Sequence, residues 1–213
     1  MHLLTDQCVF LLGQEKKTSQ RAVNVMIKSE VRKLFKQKRQ ELGIQELEYL
    51  SEEICTNVLS NFQLEGKTCS LFLPIERHKE INTYLLLEKG VAIGAKMVIP
   101  RCEDNLRLKH FLFEHQKQLK TNALGIPEPQ SGKLIPTKQI DIVFVPLLAI
   151  DSNGQRVGYG KGYYDRFLKK CRPDCLFIGL HLFDEQIEIS DFEETDVPLH
   201  YCVGPTKIER FAK

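Results

Sequence analysis

Residues 140–150, IDIVFVPLLAI, are almost wholly apolar, and no other stretch limits the possible folds as sharply. The run is too short for a membrane span, which needs about 20 apolar residues. A half-exposed strand would show a polar residue at every second position. Ile142, Val143, Phe144 and Val145 instead require cover on both faces, as in a central strand of a parallel sheet. Residues 67–73 and 96–99 read as strands halted by Pro74 and Pro100, residues 108–113 alternate, and 176–180 and 201–203 read as further strands, the latter as the last. Residues 27–42, 45–61 and 82–88 read as helices, the first and third closed by Gly43 and Gly90, where glycine stops a helix at low steric cost. In the first helix Ile27, Val31, Leu34 and Lys38 form one stripe and Lys28, Arg32 and Arg39 another; in the second, Leu47, Leu50, Ile54, Val58 and Leu59 face inward. Residues 121–139 read as a long polar connection. Strands alternating with helices predict an α/β fold: one domain, residues 26–213, with a mainly parallel central sheet flanked by helices in three layers.

In such sheets ligands collect beyond the carboxyl ends of the strands. That rule places residues 74–80, Pro100 with Arg101, residues 158–162 and residues 181–184 at one rim. The most informative string in the chain lies there: Arg156-Val157-Gly158-Tyr159-Gly160-Lys161-Gly162-Tyr163-Tyr164-Asp165, followed by a helix read over residues 163–171. Alternating glycines admit backbone conformations that other residues avoid, so that successive amides can converge on one anion. The helix start adds roughly +0.5 of a charge; Arg156 and Lys161 add full charges, and Asp165 stands where a carboxylate can meet magnesium. This is the chemistry of a triphosphate site. It is neither the G-x-x-x-x-G-K-[ST] phosphate loop nor the G-x-G-x-x-G dinucleotide fingerprint.

The 213 residues suffice for a core without covalent staples. A net charge of +2 is too small to indicate nucleic-acid binding from bulk charge and fits anionic small molecules in a local basic pocket. Six cations between Lys28 and Arg39 keep an RNA-associated alternative open, although no RNA-binding motif accompanies them. Seven scattered cysteines with no C-x-x-C pair give no zinc pattern and read as reduced thiols of a cytoplasmic protein. The patch at residues 8–12 has Asp6 before it and no Lys or Arg, unlike a secretory leader; residues 1–25 read as a flexible extension. Met26 directly precedes the first helix and is a candidate start of translation, which the intact mass of the natively expressed protein decides.

Residues 145–151 and 154–166, Val145-Pro146-Leu147-Leu148-Ala149-Ile150-Asp151 and Gly154 through Arg166, resemble the signature of the 5-formyltetrahydrofolate cyclo-ligase family. The resemblance extends in order over residues 26–210: Lys28 with Arg32, Leu73-Pro74 with Glu80-Ile81-Asn82-Thr83, Ile99-Pro100-Arg101, residues 125–129, Phe183-Asp184-Glu185-Gln186, and Asp196-Val197-Pro198-Leu199. It implies an ATP-dependent ring closure in which the formyl oxygen attacks the γ-phosphate and the folate N10 then attacks the activated carbon. A non-catalytic member that only binds folate or nucleotide is the alternative within the family.

Residue by residue, the resemblance implies that Lys28, Arg32 and Arg156, Val157, Gly158, Tyr159, Gly160, Lys161, Gly162, Tyr163 and Tyr164 bind ATP. Lys161, Arg156 and Tyr163 are the catalytic candidates. Leu73 and Glu80 would hold the pterin, with Tyr159, Gly160, Lys161, Gly162 and Tyr163 at the junction of both substrates, and Asp165 and Asp196 would hold Mg2+. The implied partners are a reduced folate and ATP, with no membrane, no nucleic acid, and a monomeric or weakly dimeric state. The loop from Pro74 to Glu80 is longer than the family norm, and Ile150, His181 and Gly204 depart from its usual residues. For His181, a structural and a catalytic reading both stand.

Overall fold

A computed structural model describes residues 25–211; the expected extension at residues 1–25 lies outside them except for Val25, which pairs in parallel with Glu188. Helices α1 (Lys28–Glu41), α2 (Ile44–Asn61), α3 (Tyr84–Ala92) and α4 (Tyr163–Leu168) surround one eight-stranded sheet. Its strands are β1 (Thr68–Ser70), β2 (Lys96–Glu103), β3 (Arg107–Leu112), β4 (Leu134–Ile135), β5 (Ile142–Pro146), β6 (Leu176–Leu180), β7 (Tyr201–Val203) and β8 (Ile208–Arg210). The order is β8-β7-β6-β5-β1-β2-β3-β4. The pairs from β7 to β2 are parallel, whereas β8, β3 and β4 join antiparallel. The α/β three-layer sheet expected from the sequence is present.

Strand β5 is central, paired with β1 on one side and β6 on the other. Side chains alternate across a strand. Ile142 and Phe144 therefore join the core beneath α2 and α3, with Ile54, Val58, Leu86 and Leu87, while Val143 and Val145 join the core beneath α4, with Phe167 and Leu168. Burying each such large side chain contributes about 1.5–3 kcal/mol. Helix α1 packs separately, Val31 and Phe35 covering Leu148, Ala149, Val157 and Ile189 just beyond the end of β5.

Several boundaries differ from expectation for identifiable reasons. Strand β2 runs through Pro100 because β1 pairs only as far as Val98, so no neighbouring carbonyl needs the missing N–H on that side. Helix α3 runs past Gly90, where a Cβ would stand 2.8 Å from the Met97 sulfur; this glycine serves close packing rather than termination. The polar connection is partly structured, with Pro127–Pro129 pairing antiparallel to Leu119–Thr121 and β4 pairing with β3. Strand β7 is followed by β8 and so is not the last.

The inward face of α1 also differs. Lys28, Val31, Phe35 and Arg39 are buried, whereas Ile27 is 43% exposed. Apolar periodicity misplaces this face because two of its residues are cations that pair inside the fold, Lys28 with Asp196 and Arg39 with Glu80. Helix α4 ends at Leu168, which shortens the expected dipole.

Candidate active site

The parallel strands end at a cavity of about 750 Å3. One wall is cationic, with Lys28, Arg32, Lys36, Arg156, Lys161 and Arg166; the other is largely apolar, with Phe72, Leu73, Pro100, Leu108, Ile126 and Pro127. All the site residues named from the sequence line it except Val157. Val157 pairs with Ala149 and packs under α1, so its side chain belongs to the core. Arg101 and residues 181–184 also stand away from the cavity. Arg101 lies over the Phe111 ring and pairs with Glu103, while His181 and Phe183 pack against Phe35 of α1, which covers that end of β6.

His181 is buried, with Nε2 donating to the Leu148 carbonyl at 3.0 Å. Burial lowers its pKa to about 3, so it is neutral and structural here.

The glycine string is shaped at two points. Gly160 and Gly162 take φ values of +91° and +70°, and Gly162 is the residue that opens α4. A Cβ on Gly160 would stand 3.3 Å from the Arg32 guanidinium carbon. That guanidinium is held by its Nε donating to the Gly158 carbonyl at 2.9 Å. Gly160→Ala is therefore expected to cost about 1–2 kcal/mol from backbone strain alone and to displace Arg32 as well. Urea unfolding and nucleotide titration read the two effects, and unchanged values in both would contradict this account.

Lys161 is exposed at the cavity, with no ion pair or hydrogen bond from its ammonium among the described residues. Arg156, by contrast, is fixed. Its Nη1 donates to the Val197 carbonyl at 2.6 Å and its Nη2 to Asp165 Oδ1 at 2.7 Å, and the Val197 amide reaches the same oxygen at 3.2 Å. Asp196 Oδ2 accepts from the Lys28 ammonium and from the Glu193 amide at 2.9 Å. Burial acts to raise the Asp196 carboxyl, but the Glu193 amide and Lys28 outweigh it and hold its pKa below the ordinary range.

Among the described residues no group of three or more His, Cys, Asp or Glu could hold a metal ion by itself. Asp165 Oδ2 and Asp196 Oδ1 nevertheless carry no protein hydrogen bond there. Two such oxygens suit Mg2+, which takes most of its shell from phosphates and water.

On the opposite side a buried network joins α1 to the loop before α3. The Tyr159 hydroxyl donates to Glu80 Oε1 and accepts from Arg39 Nη1 at 2.9 Å. Glu80 Oε2 accepts from the Ile75 amide at 2.8 Å, and Arg39 Nη1 stands 3.9 Å from Glu80. Arg39 Nη2 donates to the Leu147 carbonyl at 2.5 Å. Burial, and then the Glu80 charge, push the Tyr159 phenol well above its ordinary pKa, so it stays a donor. The His78 ring stacks on Tyr159 with centroids 5.3 Å apart.

Sequence reasoning left Arg39, Lys36, His78 and Glu128 out of the site. A signal for two of them was present: Lys28, Arg32, Lys36 and Arg39 recur at helical spacing and share one face.

Residues 24–205 match the model of the 5-formyltetrahydrofolate cyclo-ligase family. The chain belongs to that family. A cyclo-ligase of this name from Escherichia coli K12 is 26% identical over 185 residues, covering 82% of this chain and 98% of its own. The structure of Aquifex aeolicus 5,10-methenyltetrahydrofolate synthetase superposes with a TM-score of 0.75 at 28% identity, covering 88% of this chain and 94% of that one. A Mycoplasma pneumoniae synthetase, 23% identical, shares the fold with a TM-score of 0.67 over 84% of this chain and 99% of its own. Members of the cyclo-ligase family are ligases, and this chain is one. Among its described residues no helix is long and apolar enough to cross a membrane.

Proposed function

We propose that this cyclo-ligase family member closes 5-formyltetrahydrofolate to 5,10-methenyltetrahydrofolate with ATP and Mg2+, releasing ADP and phosphate. One observation carries the reading. A single cavity joins a glycine loop rich in cations to an apolar wall that contains the buried Glu80 carboxylate.

The chemistry explains why both halves are needed. A formamide oxygen is a poor leaving group, so it is first made into a phosphate ester. The formyl oxygen attacks the γ-phosphorus, the bond to ADP breaks, and an imidate phosphate results. N10 then attacks the imidate carbon and phosphate leaves. Such transfers depend on alignment and on neutralising charge spread over phosphate oxygens, not on a side-chain nucleophile. Lys161 supplies a mobile cation to the terminal phosphate, and Arg156, braced by Asp165 and Val197, supplies a fixed one. Arg32 and Lys28 complete the cationic wall, and Tyr163 stands where the substrates meet. Asp165 and Asp196 would hold Mg2+ when nucleotide is bound, and the ion would supply further counter-charge to the phosphates.

Leu73 presents an apolar surface to the pterin, and Glu80 accepts its N–H groups. Both Glu80 oxygens already have protein partners, yet each carboxylate offers about four acceptor positions. Glu80→Ala is expected to weaken 5-formyltetrahydrofolate binding on the order of tenfold, one lost charge-assisted hydrogen bond, with ATP affinity nearly unchanged. Calorimetric titration of each substrate checks this, and equal losses for both would remove Glu80 from the folate half.

The catalytic domain on this reading is residues 26–213, acting in the cytoplasm as a monomer or weak dimer; the six free cysteines among the described residues support a reducing compartment. An RNA-binding role gains no support from α1, since Lys28 pairs with Asp196, Lys38 with Glu185, and Arg39 is buried. The near-ultraviolet absorbance of the methenyl product, followed with 5-formyltetrahydrofolate and MgATP, tests the function. No rise, or a rise that does not need ATP, would refute it.

A further inference from the structure

Ring closure leaves one proton without a destination. N10 enters as a secondary amine and ends in a cationic amidinium. As its lone pair forms the bond to carbon and phosphate departs with the C–O pair, the N10–H bond breaks, its electrons stay on nitrogen, and a base takes the proton.

The carboxylates lining the cavity are Glu80, Glu128, Asp165, Glu193 and Asp196. Glu80 accepts the Tyr159 hydroxyl and the Ile75 amide, Asp165 is paired with Arg156, and Asp196 with Lys28. Glu193 is exposed and accepts the Thr195 hydroxyl at 3.1 Å. Glu128 stands apart. It is only 5% exposed, yet no cation lies within ion-pair distance of it among the described residues. Its partner is Cys102, whose amide donates to Oε1 at 2.8 Å.

The backbone around Glu128 is fixed between Pro127 and Pro129, where Arg101 Nη1 donates to the Pro129 carbonyl at 3.3 Å and the Gln130 carbonyl at 3.2 Å. Glu128 lines the same cavity as Lys161 and Tyr163 of the glycine loop and as Leu73 and Pro127 of the apolar wall. A buried carboxylate without a counter-ion is costly, and positive charge arising beside it is correspondingly stabilised.

The geometry points to Glu128 as the catalytic base of ring closure: the carboxylate attracts the charge that builds on N10 as it attacks, accepts its proton, and returns that proton to water when the products leave. This assignment rests on the ATP-dependent cyclisation proposed above.

Glu128→Gln retains the oxygen that accepts the Cys102 amide and removes the base. Turnover to the methenyl product is expected to fall about 10²–10⁴-fold, with the KM for 5-formyltetrahydrofolate within about threefold of wild type, as expected for an interaction made only in the transition state. Phosphoryl transfer precedes the step affected. With ATP labelled by oxygen-18 at the β,γ-bridge, scrambling into the β-nonbridging positions in the presence of 5-formyltetrahydrofolate should therefore persist in the variant.

Near-wild-type turnover would overturn the assignment. So would a raised KM with turnover intact, which marks an anchor for the pterin, and so would loss of scrambling together with product. Should the glutamine variant not fold, Glu128→Asp is expected to close the ring slowly while scrambling continues, and full-speed closure or absent scrambling there would equally overturn it. A wild-type protein giving neither product nor scrambling would instead remove the proposed function itself.

Discussion

Lys161→Met is expected to lower turnover on the order of 10²-fold or more, the usual loss when one preorganised charge-stabilising group is removed from a site. Methionine preserves length and most of the apolar stem, so the change isolates the ammonium. Arg156 cannot replace it, because both of its terminal nitrogens are committed to Val197 and Asp165. Helix α4, only six residues long, contributes less than a full dipole. Among the described residues the Lys161 ammonium has no partner to release before it meets phosphate, so its whole charge is available to the transferring group. Steady-state kinetics with MgATP in excess measure the effect, and thermal unfolding of the same variant should be unchanged because the residue is exposed. Wild-type turnover in a folded variant would take Lys161 out of the phosphate site.

Arg39→Met is expected to be the most destabilising single change in the site, costing about 3–5 kcal/mol, as when one partner of a buried ion pair is removed. Arg39 and Glu80 have side chains only 3% and 4% exposed. Without the guanidinium, Glu80 keeps its charge in a dry setting, the Leu147 carbonyl loses its donor, and Tyr159 loses the group that orients its hydroxyl. Domains of this kind are stable by only about 5–15 kcal/mol, so the variant should unfold at much lower urea. Arg39→Met combined with Glu80→Gln should recover part of the loss, because the stranded charge is then gone. A loss below about 1 kcal/mol in the single variant, the range of surface pairs, would mean that water reaches the network.

The difference between these two cations shows what could be read in advance. Lys161 belongs to a contiguous string, and local spacing was enough to bring it, Gly160, Gly162, Tyr163 and Asp165 to one turn. Arg39 carries no local mark of burial, since a cation on a helix is ordinarily solvated. Its environment is made by Leu147, Tyr159 and Glu80, which come from distant parts of the chain. Val157 is the converse case. It lies inside the string, yet its pairing with Ala149 directs it into the core beneath α1. Glu128 was hidden in a segment whose prolines and polar residues resemble an open loop, although that segment pairs antiparallel with Leu119–Thr121.

By itself the sequence determined the α/β class, a central strand within residues 140–150 and a glycine-rich turn ahead of α4, because apolar runs and alternating glycines act through short-range backbone sterics and burial demand. Only the tertiary structure decided which charges face water and which face each other. The sign and depth of an electrostatic environment depend on groups brought within a few ångströms by folding, and no spacing along the chain encodes that distance.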